Sequence, residues 1–238
     1  MSVFVIADLH LDVHSNQKSM EVFGNRWKDY VYKIQKNWSC LVSEADTVIV
    51  PGDISWALNL KSALHDLKWI DALPGRKILM KGNHDFWWST VSKMQTFFCE
   101  NCINSIDILN NSALEVEDYI IAGSRGWFTD RSMQNASQSV DYQKIINRET
   151  IRLKMSLECA KKLKEETNKM ILVFLHFPPV WSDFRCDEIL SLLHEYEISD
   201  CYFGHIHGCY TVPPSWEYEN IRFHMISADF LDFIPQII

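Results

Sequence analysis

Gly82-Asn83-His84-Asp85 follows directly on the run 76–81, Arg-Lys-Ile-Leu-Met-Lys. A mostly aliphatic run closed by glycine reads as a buried strand ending in a tight turn. That turn presents an amide oxygen, an imidazole and a carboxylate on consecutive residues, at the end of the strand where α/β sheets bind their ligands. Taken by itself it is equally an Asx turn with a surface histidine. Four other segments repeat the arrangement. Asp8 and His10 follow the apolar run 3–7; being two apart on extended chain, they point to the same side. Gly52-Asp53 follows 47–50, His176 follows 170–175, and Gly204-His205-Ile206-His207-Gly208 follows 201–203. Two histidines at i, i+2 between glycines are hard to explain by packing. Acids and imidazoles aimed together from strand ends suit a metal of intermediate softness.

The elements that must hold these residues are legible from periodicity. Strands are expected at 3–7, 47–50, 76–80, 105–109, 113–116, 119–122, 170–175, 201–203, 222–226 and 233–238. A helix is expected over 21–38, covering the sheet from about Arg26 onward, with Phe23, Trp27, Tyr30, Val31, Ile34 and Trp38 inward. A second, 59–73, turns Leu60, Leu64, Leu67 and Ile70 inward and stops at Pro74-Gly75. The charged stretch 141–169 reads as a long helix with Ile145, Ile151, Leu153, Leu157 and Leu163 inside and its charges on a solvated face. A short helix is expected at 188–194.

Composition narrows the function. The chain has 238 residues, is 47% hydrophobic and 23% charged, and carries a formal charge of -8 with no block of lysine or arginine. A long nucleic acid or an anionic membrane surface needs a basic footprint, so neither is an expected partner. The N-terminal apolar run is cut by Asp8, and no other apolar run is long enough for a membrane span. Seven cysteines have no framework spacing and read as reduced thiols of a cytoplasmic protein.

The ordered set Asp8-x-His10, Gly52-Asp53, Gly82-Asn83-His84-Asp85, His176 and Gly204-His205-x-His207 resembles the calcineurin-like metallophosphoesterase superfamily. The longer blocks Gly52-Asp53-Ile54-Ser55-Trp56-Ala57 and Asp85-Phe86-Trp87-Trp88 resemble a bacterial branch known only as phosphohydrolases. The resemblance implies one domain over residues 1–238, a four-layer αββα sandwich of two mixed β-sheets flanked by helices. It implies two divalent metals bridged by Asp53, one held by Asp8, His10 and His207, the other by Asn83, His176 and His205. His84 would not be a ligand but would face the leaving oxygen of the substrate. One departure stands out. The phosphoprotein phosphatase branch carries an aspartate three residues after the Gly-Asp aspartate to orient this histidine, and here that residue is Trp56.

The chemistry of the set agrees with that expectation. Four imidazoles, an amide and two carboxylates suit Mn, Fe, Zn or Ni better than Mg or Ca. Two such ions polarise phosphoryl oxygens and acidify bridging water, and His84 can protonate the departing alkoxide. The expected function is hydrolysis of a small phosphomonoester or phosphodiester by metal-activated hydroxide. The alternatives are a nuclease acting on short nucleic acid and a non-catalytic protein-interaction scaffold on the same fold. Arg125, in a glycine-flanked loop, either grips substrate phosphate or pairs with a nearby acid. Of nine tryptophans, Trp56, Trp87, Trp88, Trp127 and Trp181 fall just after motif turns or the Arg125 loop. They either surround the mouth of the site, favouring a nucleotide-like or aryl phosphoester, or pack beneath the loops.

Overall fold

The apolar runs form two principal sheets in a computed structural model, which describes residues 1–14, 18–127 and 141–238. The chain divides into two units, each built on one of these sheets.

The first unit comprises Met1–Ile108, Gly204–Val212 and Ile226–Ile238. Val3–Val5 (β1), Thr47–Pro51 (β2), Arg76–Met80 (β3) and Ile106–Ile108 (β4) run parallel, and the C-terminal strand Gln236–Ile237 pairs antiparallel with β1. Every residue of β1 and β2 is buried, which is why these runs show no polar alternation. Tyr30–Leu41 (α1), Leu64–Asp71 (α2) and Val91–Glu100 (α3) bury Ile34, Trp38, Leu67, Ile70, Met94 and Phe98 in one core. Lys77 is fully buried, yet its ammonium donates to the carbonyls of Asp71, Leu73 and Gly75 and to Ser105 Oγ. It thereby fastens the end of α2 to β3.

Several boundaries differ from expectation, each for a local reason. The helix expected over 21–38 begins only at Tyr30, because Gly24 (φ 120°) and Asp29 (φ 54°) break the preceding segment into two 3-10 turns, Met20–Phe23 and Asn25–Trp27. Phe23 is consequently 70% exposed instead of inward. Residues 59–63 form a turn closed by Asn59 and Ser62, each accepting the other's backbone N–H. Helix α3 was not expected; it starts at Thr90, whose hydroxyl accepts the Lys93 N–H as an N-cap. The C-terminal strand is only two residues long, since Phe233 adopts φ 61° and packs into the core.

The second unit comprises Leu109–Phe203 and Pro213–Met225. Its strands are Ala113–Val116 (β5), Tyr119–Ser124 (β6), Met170–Leu175 (β7), a hairpin of Val180–Trp181 (β8) and Phe184–Arg185 (β9), Asp200–Phe203 (β10), Ser215–Tyr218 (β11) and Ile221–Met225 (β12). The main sheet has the order β11-β12-β10-β7-β6-β5, parallel at its centre and antiparallel at both edges. Tyr142–Thr167 (α4) and Asp187–Glu195 (α5) are its helices. The buried stripe of α4 is Ile146, Glu149, Leu153, Ser156, Leu157 and Ala160, so Ile151 lies outside at 61% exposure. Two polar residues shift the stripe. Glu149 takes in Arg125, Arg148 and Arg152, and Ser156 Oγ accepts the Gly123 N–H and donates to the Ser112 carbonyl. The result is an α/β fold with helices flanking two mixed β-sheets. No described helix is long and apolar enough to cross a membrane.

Candidate metal centre

The turns after β1 and β2 lie side by side in the first unit. Asp8 N–H donates to Gly52 O (3.1 Å), His10 N–H to Asp53 O (2.9 Å) and Leu11 N–H to Ile54 O (2.9 Å). Asp8, His10, Asp53 and His205 all take left-handed backbone conformations, with φ of 61°, 45°, 50° and 69°. Such residues cost about 1–3 kcal/mol each and persist where surrounding contacts enforce them, commonly at functional sites. Two glycines allow the turns to close. A Cβ on Gly82 would lie 2.2 Å from both N and Oδ1 of Asp53, and one on Gly204 would lie 2.6 Å from Asp8 Oδ2 and from Ala7 Cβ.

The ligand-type atoms converge within this unit. Asp8, His10 and His207 each offer an atom within 4.8 Å of the others, and Asp53 and His205 do so for each other. The Nε2 atoms of His10 and His207 face each other at 3.2 Å, and Asp53 Oδ2 lies 3.7 Å from His10 Nε2. Asp53 therefore reaches toward both groups. Its Oδ1 accepts the His84 N–H at 2.8 Å, and the Asn83 N–H also bonds to this carboxylate. Asp8 Oδ2 accepts the His205 N–H at 2.8 Å. Both carboxylates are thus aimed from their backs by main-chain donors.

The electrostatics of the two groups suit a cation. Burial, joined by Asp85 and Asp8, pushes the Asp53 carboxyl well above the usual range, and burial pushes Asp8 up to about 6. Burial, with the neighbouring histidines, holds His10 well below the ordinary imidazole value and His205 down at about 3. Burial, with His207 and Lys18, lowers His84 to about 4. Neutral imidazoles can bind a cation directly, and a cation would offset the cost that burial places on ionising the two acids. The donor set fits two divalent transition-metal ions, with nitrogen and oxygen ligands in both groups.

Two buried acids outside the expected ligand set support the site. Asp85 Oδ1 accepts the N–H groups of Ile54 and Ser55 and of the Trp87 indole, while Oδ2 accepts the Gly82 N–H. It ties the turn after β2 to the turn after β3. Asp229 Oδ1 lies 2.8 Å from His207 Nδ1, leaving Nε2 to face the site, and Oδ2 accepts from Gly208 N–H and Tyr210 O–H at 3.0 Å each. Burial lowers the His207 pKa, but the hydrogen bond and charge of Asp229, with Asp8, raise it overall. The signal for Asp229 was present: it follows 225–228, apolar but for Ser227, much as Asp8 follows 3–7. Carboxylates behind metal-ligating histidines set affinity by about 10–100-fold. Asp229→Ala is expected to weaken metal binding by about that factor. Competitive chelator titration measures it; unaltered affinity would show that His207 is held without Asp229.

A cavity of about 350 Å³ opens over these groups, lined by His10, Phe23, Trp56, His84, His207 and Tyr210 among others. Trp56 is the expected rim tryptophan found here; Trp27, expected only as core, lines it too. Trp87 is 1% exposed and packs with Trp88. In the second unit, Trp181 packs on Trp216 and Phe203. His176 is fully buried at the end of β7, and its N–H donates to the Arg125 carbonyl. The Arg125 guanidinium lies 3.0 Å from Glu149 and 4.8 Å from the Trp127 ring centroid, so its contacts are those of the ion-pairing alternative.

A model of the family described as calcineurin-like phosphoesterase matches residues 1–209. The gene 66 protein of Mycobacterium phage L5 is 35% identical over 79 residues, 33% of this chain and 37% of that protein; the match thus spans little more than a third of the relative's length. The phosphopantetheinyl hydrolase of Mycobacterium tuberculosis superposes with a TM-score of 0.54 at 14% identity, covering 100% of this chain and 95% of that one. The protein TT1561 of Thermus thermophilus superposes with a TM-score of 0.57 at 9% identity, covering 96% and 89%. At these identities the likeness is one of fold.

Proposed function

Because the chain belongs to the calcineurin-like phosphoesterase family, we propose that it is a metal-dependent phosphohydrolase acting on a small organic phosphoester. The observation that carries this is the 350 Å³ cavity, which sets aromatic side chains around two groups of metal ligands. Its size is at the small end of ligand-binding cavities, suited to an aryl or nucleotide-like ester. Asp8, His10 and His207 are assigned to one ion and His205 and Asn83 to the other, with Asp53 shared. His176 is added to the second set from the ordered motifs alone. Two divalent ions held there supply charge for phosphoryl oxygens and acidify water.

The chain's own residues then divide the remaining tasks. The aromatic lining orients the organic group and keeps water from the reacting oxygens. His84 gives a proton to the leaving oxygen; an anionic substrate beside it opposes the shift that burial imposes. Cytoplasmic location is part of the same proposal, supported by seven free cysteines. The net charge of -8 supports a small substrate over a long nucleic acid.

The test compares aryl diesters, aryl monoesters, nucleotides and phosphopeptides with defined metals. Turnover should be best on the small aryl or nucleotide esters; best turnover on phosphopeptides would overturn the proposal. His84→Ala should retain both metals and lose about 10²–10⁴ in rate on alkyl esters, with a smaller loss on nitrophenyl esters. Loss of a metal in that variant would make His84 a ligand instead.

A further inference from the structure

His84 has no acidic partner for its ring among the described residues. What it has is Trp56, the residue standing where the phosphoprotein phosphatase branch carries aspartate. The two ring centroids are 4.4 Å apart with planes at 53°. The same indole stacks on His10 at 4.9 Å and 24°, while His10 and His84 are 5.6 Å apart. Trp56 is therefore packed against one residue assigned to the metal and one assigned to the proton.

The indole is itself firmly placed. Its backbone N–H donates to Leu11 O at 3.0 Å. The preceding Ser55 is held on both sides, its N–H bonding to Asp85 and its hydroxyl to the buried Asp66. The indole N–H is buried and makes no hydrogen bond among the described residues; the ring is held by packing, with Lys18 Nζ 5.7 Å from its centroid. Trp56 lines both the 350 Å³ cavity and a second one of about 570 Å³. Among the described residues, it is the side chain common to the two cavity walls.

We propose that Trp56 is a positioning residue for leaving-group protonation, its indole setting the orientation of His84 by ring packing in place of a hydrogen-bonded carboxylate. The proposal rests on the phosphoesterase function and on His84 as the proton donor. In the step concerned, a water oxygen forms a bond to phosphorus as the ester P–O bond breaks. The electron pair of that bond passes to the leaving oxygen, which takes the proton from His84; the water proton leaves to solvent, from which His84 is reprotonated.

Packing and a carboxylate differ in what they supply. Both fix the angle of the ring, but only a carboxylate stabilises the charged imidazolium. A site built on Trp56 thus favours leaving groups that need little protonation, namely aryl oxides and phosphoanhydride oxygens, over simple alkoxides.

Trp56→Ala and Trp56→Phe are compared with the unaltered chain on aryl and alkyl phosphoesters of graded leaving-group pKa. Metal content should be equal in all three. In Trp56→Ala, kcat should fall about 10–100-fold for the alkyl ester and about threefold or less for the nitrophenyl ester, part of the general-acid contribution. KM should rise alike for both esters, because Trp56 also lines the cavity, and Trp56→Phe should recover most of the kcat loss, since it keeps a ring against His84. Long-range ¹⁵N spectra of the metal-free chain give a second readout: the His84 ring signals should shift or broaden in Trp56→Ala, with His194 and His224 unchanged. Equal losses across all leaving groups, loss of metal, or unmoved His84 signals would overturn the proposal. If the unaltered chain hydrolyses no phosphoester at all, the phosphoesterase function itself fails, and the spectra alone decide whether Trp56 orients His84.

Discussion

Asp53→Asn should bring turnover below detection and reduce bound metal from about two ions per chain to about one or fewer. Asp53 is the acid that reaches both groups of ligands, grouped with His205 and lying 3.7 Å from His10 Nε2. Asparagine keeps the size and one oxygen, so the His84 N–H retains an acceptor and the turn retains its shape. What is lost is the negative charge that would be shared by two ions held there, and the second oxygen lone-pair set. Unscreened repulsion between the ions then falls on the remaining ligands. Metal analysis of the purified variant, with circular dichroism to establish folding, separates this from collapse. Near-normal activity with two bound metals would refute the shared role of Asp53.

Gly82→Ala is expected to damage the same residue from behind. The added Cβ would lie 2.2 Å from Asp53 N, 2.2 Å from Asp53 Oδ1 and 2.9 Å from Asp53 Cα. Two of these atoms are backbone, so no rotamer change relieves the overlap. The turn after β3 must move away from the turn after β2, breaking the bonds from the Ile54 and Ser55 N–H groups to Asp85 that join them. Overpacking of this kind costs about 1–3 kcal/mol and occasionally more; the upper end corresponds to about 6–12 °C in Tm for a chain of this size. Metal binding should weaken with it. Gly24→Ala is the control: it meets no atom within 4 Å and carries only the penalty of φ 120°. Equal melting shifts in the two variants would show that contact with Asp53 is not what requires glycine at 82.

Much of the site was legible because its signals are local. A strand announces itself by a short apolar run, and the residues just beyond it are set by chain direction and by the turn. Asp8, His10, Asp53, His205 and His207 were singled out that way and fall in the two candidate ligand groups, His84 lines the cavity beside them, and β3, β5 and β7 have the expected bounds. Helix ends were less legible where a single residue decides them. Gly24 and Asp29, by adopting positive φ, turned an expected helical face into two 3-10 turns and put Phe23 at the cavity mouth.

The order of residues along the chain marks which of them end the strands and which carry metal-type ligands; the resemblance adds that Trp56 stands where the phosphoprotein phosphatase branch carries an aspartate. Only the tertiary structure decided what lies behind and beside those ligands. Asp229 is 22 residues from the His207 it orients, Asp85 is 31 from the Ile54 N–H it accepts, and Glu149 is 24 from Arg125. No period along the chain encodes such pairs. They arise because a buried carboxylate must find donors, and the donors within reach are set by which strands are neighbours in the sheet and how closely their turns can pack.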